Sequence, residues 1–172
     1  DRIAKWNGST WSALGTGISG GSVLALAVSG ANVYAAGSFT TAGGVPATRI
    51  ARWNGTTWSA LGSGLNDQVN ALAISGSTVY AGGFFTTAGG NAALQVAQWN
   101  GTTWSALGTG TNNFVWALTM MGTDLIVGGS FSTAGGNTVN NIARWNGAWS
   151  ALGPGLGGAA TAFPVIGSTL YV

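Results

Sequence analysis

The chain has 172 residues, of which 46% are apolar and 31 are glycine, while only 5% are charged against an average near 25%. Such a length can bury a sizeable core, high apolar content with few charges excludes disorder, and no apolar run approaches the ~20 residues of a membrane-spanning helix. A net charge of +2, from five cations and three anions, lacks the clustered Lys and Arg that nucleic-acid binding needs, and the absence of Cys excludes disulfides and thiolate chemistry.

Residues 1–15 read as two strands joined at Asn7-Gly8, the first ending at Trp6 and the second opening at Trp11. That phrase, Trp, Asn-Gly, Trp, Ser-Ala-Leu-Gly, returns at Trp53 to Gly62, Trp99 to Gly108 and Trp145 to Gly153. The first Trp recurs after 47, 46 and 46 residues, a period that marks stacked supersecondary units. The repeat units fall at 3–49, 50–95, 96–141 and a partial 142–172, in what is either one domain or a slice of a larger one.

The second unit shows the pattern most clearly. Val69 to Ile74 is nearly all apolar and reads as a strand buried on both faces. Val79 to Phe85 follows a short turn and reads as its hairpin partner. Residues 86–94, with Ala88-Gly89-Gly90, read as a longer loop. Val96 to Trp99 is a third strand. Asn100-Gly101 predicts a type I′ hairpin turn, which needs positive φ at both central residues. Thr103 to Leu107 is the fourth. Residues 159–172 supply an inner strand and the start of a second.

Four antiparallel strands in about 46 residues is the arithmetic of a propeller blade. The expected fold is therefore an all-β propeller, with three whole blades and two half-blades in this chain. The first strand of each unit carries small residues, such as Ala25, Ala27, Ala71 and Ala73, as suits the crowded axis. A β-solenoid is the competing architecture. The chain stops within a strand at Leu170-Tyr171-Val172, which favours a slice of a longer propeller over a four-bladed ring closed by the two halves.

Gly82-Gly83 after an apolar strand, then Trp99, Trp104 and Leu107, resembles the kelch repeat and the central propeller of galactose oxidase. The fuller phrase around Val79 to Gly108 is more similar to the propeller repeats of fungal cortical markers of cell polarity and related bacterial surface proteins. This resemblance covers essentially the whole chain and implies a scaffold. Galactose oxidase holds copper with His, Tyr and Cys. This chain has no His or Cys, so that activity does not transfer.

Candidate ligand-binding residues are Trp116, Trp53, Trp58, Trp99 and Trp104. The Trp pairs would lie opposite each other across a hairpin and could stack on sugars, one site per blade; packing between blades is the favoured reading. Trp116 occupies an inner-strand position where other units carry Leu24 or Asn70. Breaking the repeat makes it the sharper functional hint, with local packing beside Phe114 and Met120 as the plainer explanation. A recurring basic position (Lys5, Arg52, Gln98, Arg144) reads as stems laid along a neighbouring blade. Asn7, Asn54 and Asn100 match the glycosylation acceptor pattern, but turn chemistry already accounts for them.

No catalytic residue, metal site or cofactor is expected. The acidic groups Asp1, Asp67 and Asp124 occupy non-equivalent places, whereas acid–base chemistry needs convergent groups. The expected function is a non-catalytic scaffold or interaction module. A surface wetted by Thr, Ser and Asn points to an extracellular or cell-surface location. The partner is a protein, a glycan, or further blades from the same chain or another copy; nucleic acid and membrane insertion are not expected. The alternatives are a lectin using the Trp positions and a structural subunit of a surface fibre or sheath.

Overall fold

The computed structural model describes residues 2–172, and its described elements are all strands. Three four-stranded antiparallel sheets follow one another along the chain. Blade 1 contains Val23–Ser29, Asn32–Gly37, Ile50–Trp53 and Trp58–Ala60. Blade 2 contains Val69–Ser75, Thr78–Gly83, Val96–Trp99 and Trp104–Ala106. Blade 3 contains Val115–Met121, Asp124–Gly129, Ile142–Trp145 and Trp149–Ala151. Each sheet keeps its strands in sequence order, the up-and-down meander expected of a propeller blade.

Two half-blades flank these sheets. Ala4–Trp6 pairs with Trp11–Ala13 ahead of blade 1, and Val165–Ile166 pairs with Thr169–Leu170 beyond blade 3. The inner strands of successive blades are neighbours, and their small residues permit this: Ala25, Leu72 and Ile74 join the core between blades 1 and 2. The matching core between blades 2 and 3 takes Ala73 and Tyr80 from one side and Leu118, Met120 and Val127 from the other.

Two local readings need correction. The Asn-Gly turns are not type I′. Strand residues Trp99 and Trp104 face each other across the four-residue loop 100–103, in which only Gly101 has positive φ, at 102°. Asn100 works through its side chain instead: its Oδ1 accepts from the Thr102 and Thr103 amides at 2.9 and 2.8 Å. In the last unit one residue is lost, and the loop shortens without disturbing the Trp145–Trp149 pair. The stretch expected to be a plain loop after the second strand contains a hairpin, Thr87–Ala88 with Asn91–Ala92. Its turn is Gly89-Gly90, with φ of 61° and 84°, so the type I′ geometry sits there.

Arg49, Gln95 and Asn141 occupy one equivalent position with φ of 67°, 61° and 63°. At each, the amide donates to the carbonyl of Phe39, Phe85 or Phe131, which locks the connection into the third strand. Those three rings are buried beneath it.

Candidate functional site

In each of the three four-stranded blades the second Trp of the pair is a bolt to the preceding sheet. Trp58 is buried, and its indole N–H donates to the Leu14 carbonyl of the preceding sheet at 2.8 Å. Trp104 does the same to Leu61 at 2.8 Å, and Trp149 to Leu107 at 2.7 Å. The small hairpin presses on these rings: a Cβ at Gly89 would lie 3.0 Å from Trp104 Cβ. Each first Trp tilts against its partner, with centroids 5.5 Å apart for both Trp53–Trp58 and Trp99–Trp104. It also crosses to the preceding sheet, where Trp53 lies over Gly15 and Trp99 over Gly62. Of the five candidate residues, Trp53, Trp58, Trp99 and Trp104 are thus half-buried or buried among blades, with the donors of Trp58 and Trp104 already committed. Their placement leaves no open stacking platform at Trp58 or Trp104.

Trp116 stands apart. The inner strand of every blade carries a bulge near its start, where pairing steps from Val115 to Ala117, Val69 to Ala71 and Val23 to Ala25. The residue on the bulge is released from the ladder and re-aimed. It is Leu24 in blade 1, Asn70 in blade 2 and Trp116 in blade 3. Asn70 turns toward blade 3 and donates to the Val115 carbonyl at 3.0 Å, while Gln68 donates to Asn70 Oδ1 at 2.7 Å. Trp116 donates from Nε1 to Ser130 Oγ at 2.8 Å.

Two further rings complete a cluster that the composition did not reveal. Phe84, at the end of the second strand of blade 2, meets Trp116 edge-on, with centroids 4.9 Å apart and planes at 88°. Phe114 lies 4.3 Å from Phe84 and 6.4 Å from Trp116. Equivalent positions elsewhere hold Ser38 and Ser130 in place of Phe84, and Ser22 and Gln68 in place of Phe114. The cluster therefore bridges only the junction of blades 2 and 3. Phe114 is 41% exposed. The anticipated contact of Trp116 with Met120 is replaced by this pairing across blades, because Met120 lies in the core with Leu118. A comparison of positions 84, 114 and 116 between units would have found the trio, since all three break the repeat together.

The ionisable groups do not converge. Asp124 pairs with Arg144 at 3.5 Å, and Asp67 caps the Gln68 amide at 2.7 Å. Arg49 is turned inward and donates to the Ser38 carbonyl at 2.7 Å. No group of three or more metal-ligating side chains occurs among the described residues. The aromatic trio, ringed by neutral amides and hydroxyls, can stack on a flat apolar surface and donate or accept a few neutral hydrogen bonds.

Comparison with known proteins agrees with this architecture. Residues 125–150, which run from the second strand of blade 3 into its outer strand, match a beta-propeller domain of unknown function (DUF5122). A crystal structure of the computationally designed Ika8 protein superposes with a TM-score of 0.58 at 21% identity, over 84% of this chain and 40% of that one. This chain thus spans less than half the length of that protein. No curated protein matches the chain. The shared property is the propeller-type repeat fold.

Proposed function

We propose that the chain is a non-catalytic propeller scaffold that holds a partner against the Phe84–Phe114–Trp116 cluster. The observation that carries this reading is the departure of three rings at once from a strict repeat, at a partly exposed place. Packing explains rings that recur in every blade; it gives no reason for one junction alone to be aromatic. The chain also lacks His, Cys and Glu, which thins the supply of acid–base and ligating groups. A surface wetted by Thr, Ser and Asn, with very few charges, supports a place outside the cell or on its surface.

A second reading is favoured by the same cluster. Edge-on rings beside Ser130, Asn70 and Gln68 offer apolar faces and neutral hydrogen-bonding groups, which suits a pyranose. A glycan array separates the two. Binding that is abolished in Trp116→Ala assigns a lectin, and silence across all sugars eliminates it. For a protein partner, Trp116→Ala combined with Phe114→Ser should abolish retention of whatever the wild type holds, with unchanged far-ultraviolet circular dichroism. Full retention by the folded double variant would remove the cluster from the function.

A further inference from the structure

Four Asn-Gly loops form a controlled comparison within one chain. Asn7, Asn54, Asn100 and Asn146 each follow the first Trp of a pair, and all four are exposed. The glycines after them share one backbone conformation, with φ of 100° at Gly8, 101° at Gly55, 102° at Gly101 and 100° at Gly147. Nothing lies within 4 Å of a Cβ built at any of the four, so the loops stand equally open.

Their asparagine side chains are not alike. Oδ1 of Asn7 accepts from the Ser9 and Thr10 amides at 2.9 and 2.8 Å. That of Asn54 accepts from the Thr56 and Thr57 amides at 3.0 and 2.8 Å, and the Thr56 hydroxyl adds a bond at 2.9 Å. Asn100 repeats this clamp, with the Thr102 hydroxyl donating at 3.1 Å. The Asn146 loop is one residue shorter, and Ala148 stands where a hydroxyl residue follows the glycine in the other three. That loop closes through its backbone, the Asn146 amide donating to the Ala148 carbonyl at 3.3 Å. Among the described residues no such clamp holds the Asn146 side chain.

An asparagine followed by glycine carries its own nucleophile, because glycine has no Cβ to bar a close approach of its backbone nitrogen. Once hydroxide takes the proton of the Gly147 amide, that nitrogen bonds to Asn146 Cγ. The Cγ–Nδ2 bond breaks, and Nδ2 leaves as ammonia with a proton from water. Water then opens the cyclic imide at either carbonyl, giving aspartate or isoaspartate. Nothing is oxidised or reduced, and water is the only co-reactant. The attack must come onto the face of the side-chain amide, whereas donors to a carbonyl oxygen lie near its plane. A clamp from the two following amides therefore turns the edge of the side chain toward the backbone, and both bonds must break before the face is presented.

We infer that Asn146 is a modification site, at which the chain converts its own side-chain amide to a carboxylate, while the clamps hold back Asn7, Asn54 and Asn100. The change adds one anion to three, so the net charge falls from +2 to +1. It falls in the loop between Trp145 and Trp149, the latter bolted to Leu107. The isoaspartate form inserts a methylene into the backbone of the shortest of the four loops.

Ageing the folded 172-residue chain in mildly alkaline buffer tests this. Trypsin cuts after Arg144, so Asn146 leaves on a peptide separate from Asn54 and Asn100, and mass spectrometry reads the amide-to-acid change on each. Asn146 should convert about tenfold faster than the other three, or more, the factor set by two net hydrogen bonds that must first break. A methyltransferase specific for isoaspartate should label the same peptide. Unfolding in guanidinium removes the clamps and should bring the four rates together. Deleting Thr102 gives blade 2 the shorter loop and should raise the Asn100 rate toward that of Asn146, with circular dichroism unchanged. Should that deletion unfold the chain, the folded and unfolded rates of the unaltered protein still decide. Conversion of Asn146 no faster than that of Asn54 and Asn100 in the folded chain would overturn the inference. So would a spread of rates that persists in guanidinium, since local sequence and not the clamp would then set it.

Discussion

The indole N–H of the second Trp is the most economical device in the molecule. It combines a large buried ring with a hydrogen bond to a carbonyl of the preceding sheet. Removing the ring in Trp104→Ala should cost about 3–5 kcal/mol, as large aromatic truncations in cores do. Trp104→Phe keeps most of the apolar area but leaves the Leu61 carbonyl without its donor, and should cost about 1–3 kcal/mol. Urea unfolding of the two variants checks the order. Equal losses would mean that the buried ring contributes nothing beyond the hydrogen bond, and no loss in Trp104→Phe would mean that the hydrogen bond contributes nothing. At the opposite extreme, Trp116 is held by one hydroxyl and two rings that no other blade supplies. Its identity was legible as an exception, but its partners were not. Phe84 is 32 positions earlier in the chain and reaches Trp116 only because blades 2 and 3 stand side by side.

Among the elements, the two hairpins of each repeat use glycine for different reasons. Gly101 needs only its positive φ, since nothing lies within 4 Å of a Cβ built there. Gly89 needs positive φ and also the close approach to Trp104. Gly101→Ala should therefore cost about 1–2 kcal/mol from the left-handed backbone alone. Gly89→Ala should cost more, because the Trp104 ring must shift as well, and its thermal midpoint should fall further. A smaller loss at Gly89 than at Gly101 would show that the small hairpin yields instead of the ring. Sequence reading placed four strands per unit correctly, since period-two runs and apolar runs are local signals. It missed the Gly89-Gly90 hairpin because its strands are two residues long, and a pair that short shows no alternation.

At the scale of the whole molecule, stability rests on apolar contact between sheets and very little on charge. One ion pair, Asp124–Arg144, stands among the described residues, and it is partly exposed. Exposed pairs contribute about 0–1 kcal/mol. Raising salt to 1 M shortens the screening length to about 3 Å, so the cost through this pair should stay below about 1 kcal/mol. A steep salt-dependent loss of stability in thermal melts would reveal an electrostatic contribution that these contacts do not contain. The even distribution of the Trp bolts also means that each blade is anchored to the one before it, as in other quasi-linear repeats.

The amino-acid sequence alone determined the period, the strand count per unit, the offset between repeat units and blades, and the uniqueness of position 116. Each follows from spacing or composition within about 46 residues, where local rules suffice. Only the tertiary structure decided which Trp of each pair is buried, that the recurring indoles bind a carbonyl one sheet earlier, and that Phe84, Phe114 and Trp116 meet. These depend on how one sheet lies against the next. Hydrophobic periodicity records which face of a strand is apolar, but it does not record which neighbour covers that face.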